Sequence, residues 1–126
     1  LPHVGGFRDA GVPRAAAELN TPPIIVEPGR SEGDLPAESA FIQCDHDAVV
    51  IDTVKPAEDG KGLIVRLYES FGSHAQATLT LPKPAKSVQC VNLLEEPLDT
   101  HGPMTHEQDQ VTIEARPFEI VTLRVR

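Results

Sequence analysis

Tryptophan is absent from this 126-residue chain, and its aromatic supply is one Tyr and four Phe. It has a single Met, Met104, and two cysteines, Cys44 and Cys90. Basic residues are few as well: 11 Lys and Arg stand against 19 Asp and Glu, for a formal net charge of -8. Each shortage excludes a class of function. Nucleic-acid binding needs clustered Lys and Arg, whereas here they are scattered and the sequence pI is near 5.0. Phe7, Phe41, Tyr68, Phe71 and Phe118 are mostly needed for a core, which leaves little for the exposed aromatic platforms that bind sugars. The longest apolar run is Ala48-Val49-Val50-Ile51, far below the roughly 18 residues of a membrane span. No charged n-region followed by an apolar stretch opens the chain, so neither a secretory leader nor a membrane partner is expected. Without that context or a CxxC spacing, the two cysteines read as small apolar fillers in strands rather than a disulfide or metal pair.

What is present describes an ordinary globular chain. Hydrophobic residues make up 40% and charged residues 24%, outside the disordered range. The length suits one domain, residues 1–126. Leu1 is not an initiator Met, so the chain is expected to be processed or to be a piece of a longer protein. Residues 1–20 read as a turn-rich lead-in and a short helix. Asp9 is its expected N-cap, Pro13 lies in the first turn, and Val12, Ala16 and Leu19 form an apolar stripe. Asn20 and Thr21-Pro22-Pro23 end it. Residues 21–38 form a Pro- and Gly-rich connection.

From 39 to 126 the apolar period becomes two. Phe41–Cys44, Ala48–Val54, Leu63–Tyr68, Ala75–Leu81, Ser87–Leu93, Val111–Ala115 and Glu119–Val125 read as strands. In the last of these Val121, Leu123 and Val125 face inward, with Thr122, Arg124 and Arg126 outward. Leu63, Val65 and Leu67 alternate with Ile64, Arg66 and Tyr68 in the strongest strand of the chain. Residues 99–110 read as a loop. About seven short strands with regular turn signals predict an all-β fold, an antiparallel β-sandwich with a short N-terminal helix.

The residues offer no catalytic machinery. His101 and His106 share a Gly-Pro loop, whose spacing fixes no metal geometry. Asp45-His46-Asp47 is more simply a polar turn, and Glu95-Glu96 and Glu32/Asp34 fall where solvated loops are expected. No serine sits in a GxSxG elbow, no cysteine has a histidine at a recognisable distance, and no phosphate loop is present.

Several segments in order carry a family likeness. They are Pro2-His3-Val4-Gly5-Gly6-Phe7, Ala17-Glu18-Leu19-Asn20-Thr21-Pro22, Val50-Ile51-Asp52-Thr53-Val54-Lys55-Pro56, Leu63-Ile64-Val65-Arg66-Leu67-Tyr68-Glu69-Ser70-Phe71-Gly72, Asn92-Leu93-Leu94-Glu95-Glu96-Pro97-Leu98 and Arg116-Pro117-Phe118-Glu119-Ile120-Val121-Thr122-Leu123. Together they resemble the late part of the family 38 glycoside hydrolases, α-mannosidases, and most of all their cytosolic branch. Glu96 departs from the basic residue expected in its block. The resemblance implies the C-terminal accessory β-sandwich of a cytoplasmic enzyme that removes terminal α-mannose with retention. It implies that the Asp nucleophile and a divalent metal, zinc or cobalt, belong to an N-terminal catalytic part of the same protein. That part would be the partner of this chain, and a mannose-containing oligosaccharide would be bound through it. No catalytic residue, metal ligand or cofactor site transfers to the present residues. The likeness does suggest that the lead-in loop reaches the sugar, with His3, Phe7 and Arg8 facing substrate. A large apolar patch, on the helix or one sandwich face, is expected where the missing part docks. The rival expectation is a free-standing β-sandwich module that binds carbohydrate or protein.

Overall fold

The computed structural model describes residues 2–27, 29, 32–34, 36–99 and 102–126. They form two compact units, residues 1–40 and 41–126.

In the first unit a tight turn leads into one helix. Ala10 N–H donates to Gly6 O at 3.1 Å and Val12 N–H to Phe7 O at 3.0 Å. Helix α1, Val12–Asn20, follows with Pro13 in its first turn, where the missing N–H has no intrahelical partner to lose. Its N-cap is Gly11, in the left-handed region at φ 62°, not the expected Asp9. The Asp9 carboxylate instead accepts from Gly6 N–H at 3.3 Å, within the preceding turn. Gly11 needs no side-chain cap because the turn hydrogen bonds already set the direction of entry. Thr21 N–H donates to Ala17 O at 2.9 Å and closes the far end. No residue of α1 is buried, and Leu19 is 80% exposed.

The second unit is a sandwich of two four-stranded antiparallel sheets. One orders β1 (Gln43–Cys44), β4 (Ala75–Thr80), β7 (Gln110–Ala115) and β6 (Met104–Glu107); the other orders β2 (Val49–Pro56), β3 (Leu63–Glu69), β8 (Ile120–Val125) and β5 (Val88–Cys90). The predicted fold class therefore stands, with eight strands among the described residues instead of about seven. The extra one is β6, inside the stretch read as a loop: Met104 pairs with Ile113 and His106 with Val111. Phe41–Cys44 and Ser87–Leu93 are shorter as strands than expected.

Val65 and Leu67 of β3, Leu79 of β4, Val111 and Ile113 of β7, and Val121 and Leu123 of β8 fill the space between the sheets. The expectation that the aromatics supply this core is corrected, because none of the five is buried. Short aliphatic side chains from facing strands fill the space instead. The outward assignment of Thr122 is corrected too, since it is only 4% exposed, and Ile64 is fully buried. Ile64 forms a second apolar cluster with Ala57 and Val91. After β5 the chain folds back, and Val91 bridges Pro97.

Candidate functional site

The residues expected to face substrate lie together in the lead-in turn. His3 Nδ1 lies 3.1 Å from Gly5 O, and Gly5 itself sits at φ 80°. The Arg8 guanidinium stacks 5.5 Å from the centroid of the Phe7 ring, a cation–π pair that holds both side chains on the same turn. All three residues are exposed. The turn thus presents an imidazole, a ring and a guanidinium to solvent.

Other candidates resolve into structural roles. His46 Nδ1 accepts from Ala48 N–H at 3.1 Å, and Asp45 Oδ1 accepts from Thr78 N–H at 2.7 Å, so this turn ties β1 to β2 and β4. His106 Nε2 lies 2.9 Å from Gln108 O, while His101 lies outside the described residues. Among the described residues no three His, Cys, Asp or Glu side chains converge. These residues therefore do not fit the divalent metal that the resemblance implies. Cys44 and Cys90 are both free. Burial pushes each thiol above its ordinary range, which keeps it protonated and a poor nucleophile. Glu95 and Glu96 do not pair as catalytic carboxylates. Glu95 takes the Lys55 ammonium at 2.7 Å, and Glu96 takes the Asn92 side-chain amide at 2.9 Å.

A site that sequence reasoning missed lies where β3 and β7 end. Glu69, the last residue of β3, is only 1% exposed. Its carboxylate accepts from the N–H groups of Phe71 at 2.8 Å, Gly72 at 2.7 Å and Phe118 at 2.9 Å, and from the Ser73 hydroxyl at 3.2 Å. Burial alone would raise this carboxyl, but the hydrogen bonds outweigh burial and hold it below the usual glutamate range. The residue so anchored, Phe118, has φ 58° and is 70% exposed. Its ring rests against Gly72, where a Cβ would lie 2.5 Å from the ring tip.

A cleft of about 320 Å³ is lined by His74, Pro103, Glu114, Arg116 and Glu119 among others. Arg116 and Glu119 form a fork: the Arg116 backbone N–H donates to Glu119 Oε2 at 2.7 Å, and its guanidinium to Oε1 at 3.0 Å. The only sequence signal at this corner was the Arg116-Pro117-Phe118-Glu119 start of the last family-likeness segment. A larger, apolar groove of about 550 Å³ opens elsewhere in the sandwich, lined by Phe41, Leu63, Leu81, Pro82, Pro84 and Val125 among others.

Comparison with known proteins follows the geometry. Residues 48–123 match the family described as glycosyl hydrolases family 38 C-terminal beta sandwich domain. Over 98% of its length the chain is 37% identical to human alpha-mannosidase 2C1, and 35% identical to alpha-mannosidase G of Dictyostelium discoideum. The mouse alpha-mannosidase 2C1 is 32% identical over the same share. The chain spans only 12%, 11% and 12% of the lengths of these three relatives.

Proposed function

Because the chain belongs to glycosyl hydrolase family 38, as a C-terminal β-sandwich domain, we propose that it serves an α-mannosidase that removes terminal α-mannose residues. Its part there is non-catalytic: it completes the enzyme's assembly and helps position the substrate. One observation carries this reading. Virtually the whole chain, lead-in and helix included, aligns with proteins named as alpha-mannosidases that are far longer than it is. A free-standing module is the weaker reading, since in those relatives the matching stretch is a small fraction of the protein.

In this reading the partner is the catalytic part of the same polypeptide, and the mannose-bearing oligosaccharide is bound through that part. The divalent metal, zinc or cobalt, also belongs there and would orient the sugar hydroxyls. The lead-in turn contributes from this side: His3, Phe7 and Arg8 face the sugar, their positions set by Gly5 and by the cation–π stack. We place the enzyme in the cytoplasm. No helix among the described residues is long and apolar enough to cross a membrane.

The test uses the full-length protein that carries this chain, assayed on an aryl α-mannoside before and after metal chelation. Hydrolysis lost on chelation, with no turnover by the 126-residue chain alone, is the expected result. In the same protein, His3→Ala combined with Arg8→Ala should raise KM by about tenfold, the loss of one or two polar contacts. An unchanged KM and kcat in that variant would remove the lead-in turn from the substrate. A full-length protein inert toward α-mannosides would overturn the enzyme assignment itself.

A further inference from the structure

The apolar groove at one end of the sandwich takes no part in the reading above. We infer that it seats a segment from the rest of the same polypeptide, one that carries apolar side chains beside a carboxylate. This rests on the reading of the chain as one part of a longer mannosidase, and it names the surface by which the sandwich is held there.

The groove is built from both sheets. Phe41 and Ile42, just before β1, and Leu81 to Ala85, just after β4, line it from one sheet; Leu63, Val65 and Val125 line it from the other. The Pro82-Lys83-Pro84 loop is fastened at both ends. Leu81 N–H donates to Asp109 O at 2.7 Å, and Ala85 N–H donates to Gln108 O at 3.0 Å. Two proline rings fix φ between those anchors. A wall set in this way loses little entropy when a segment packs on it.

This fixed surface is left to water. Phe41 is 58% exposed, and Pro82 and Pro84 are exposed as well. The volume of about 550 Å³ falls within the range that buries a bound group, and contiguous apolar surface of this kind marks an interaction site.

Charge selects the chemistry of the occupant. The chain carries 19 acidic residues against 11 basic ones, yet among the described residues the charged lining of the groove is Lys83 and Arg126, with no carboxylate. Arg126 is already engaged: its Nε donates to Lys61 O at 3.3 Å, and its Nη2 lies 3.7 Å from the Asp59 carboxylate. The Lys83 ammonium has no partner among the described residues. A segment that covers Lys83 must therefore bring a carboxylate, because shielding an ammonium from water without one is costly. Two copies meeting groove to groove would set these cations against each other.

Tethering selects the source. The chain spans only 12%, 11% and 12% of the three relatives, so in such a protein most of the polypeptide lies outside it. A segment of that polypeptide faces the groove at an effective concentration in the millimolar range, which favours it over a free partner.

The full-length protein that carries this chain, half of it isotope-labelled, tests the seat. It is treated with a water-soluble carbodiimide, which condenses an ammonium with a carboxylate in contact, and is then mapped by mass spectrometry. The expected product joins Lys83 to an Asp or Glu outside residues 1–126 of the same copy. Phe41→Asp puts a charge in the groove; it should cut that yield about fivefold or more and speed amide exchange at Ile42 and Lys83 about tenfold. Exchange in β3 and β8 reports whether the variant stays folded. If it does not, Lys83→Glu takes its place, with the same faster exchange expected at Ile42. Overturning results are no product at Lys83, a product confined to residues 1–126 or formed with another copy, or exchange unaltered in both variants. Exchange at Ile42 slowed by about 1 mM octanoate would also overturn it, since the groove would then be open to a small amphiphile.

Neither readout uses a sugar, so the two proposals fail separately. A protein active on α-mannosides whose groove stays open removes the seat alone. A seated groove in a protein inert toward α-mannosides removes the enzyme reading alone.

Discussion

Two buried glutamates each fasten a loop of the sandwich, and they use different partners. At the corner after β3, the four donors to Glu69 are three backbone N–H groups and one hydroxyl, none of them charged. In the fold-back after β5, Glu95 meets the Lys55 ammonium at 2.7 Å and the Glu58 N–H at 2.9 Å. Both loops carry a non-glycine residue at positive φ, Phe118 in one and Glu95 itself in the other. Both carboxyls lie below the usual range. Glu69 does so because its hydrogen bonds outweigh burial, Glu95 mainly because of Lys55 and then the Glu58 N–H. Converging backbone dipoles can thus carry a full negative charge without a cation. Backbone donors are also fixed in place, whereas Lys55 sits on a flexible stem and is shared with Glu58 at 2.6 Å. Of the two carboxylate anchors, that of the Phe118 corner is therefore the more fixed.

The sharpest way to break this contrast is Glu69→Ala. It strands three backbone N–H groups at once and should cost about 3–5 kcal/mol in urea unfolding, with an unchanged denaturant slope. The same carboxyl sets a pH dependence. Its folded pKa lies below the unfolded one, so its stabilisation is complete at neutral pH and drains away as pH falls below about 4. Glu69→Gln should flatten part of that acid slope, while the depressed Asp59 and Glu95 keep the rest. An acid slope identical to the parent's would mean that charge is not what holds the corner.

Next in size is Gly72→Ala, expected to cost about 2 kcal/mol from its φ of 70° and the clash with the Phe118 ring. In a Phe118→Ala background the cost should drop to about 1 kcal/mol, the backbone share alone. Equal costs in both backgrounds would uncouple the two residues. Phe118→Gly should have the opposite sign and raise stability by about 0.5–1 kcal/mol, since it relieves strain and gives up little buried area. A lower melting temperature in that variant would show that the contact between ring and Gly72 outweighs the strain. The smallest effect belongs to Lys55→Met. Its loss should stay below that of Glu69→Ala and shrink between about 0.1 M and 1 M salt, because the Lys55 side chain is partly exposed. A loss larger than that of Glu69→Ala would reverse the comparison.

The sandwich was legible because period-two patterning in β3, β4, β7 and β8 reflects one buried face, which sequence alternation records directly. β6 escaped because Met104-Thr105-His106-Glu107 shows only a weak apolar face and follows Gly102-Pro103, so its pairing with β7 decides it. Thr122 was misplaced for a related reason: its hydroxyl takes the Arg66 side chain from the neighbouring strand, a contact that no local pattern announces. The Glu69 corner was illegible for a different cause. In the sequence Glu69 is one more polar residue at a strand end, and only the tertiary arrangement brings the Phe118 N–H to it from 49 positions away. The aromatic expectation failed because scarcity says how many rings exist and nothing about where they go.

The strand order also bears on how the chain acquires its structure. β8 is last in sequence of the eight strands, yet it sits inside its sheet, pairing with β3 on one side and β5 on the other. Until residues 120–125 are available, β3 and β5 have no common neighbour, and the apolar face of β3 lacks half its sheet. Such pairing across long sequence separation is slow, because the intervening chain must be ordered first. During synthesis the β2–β3 hairpin therefore waits, exposed, for the final strand, and this interval is when the nascent sandwich is most open to misassociation.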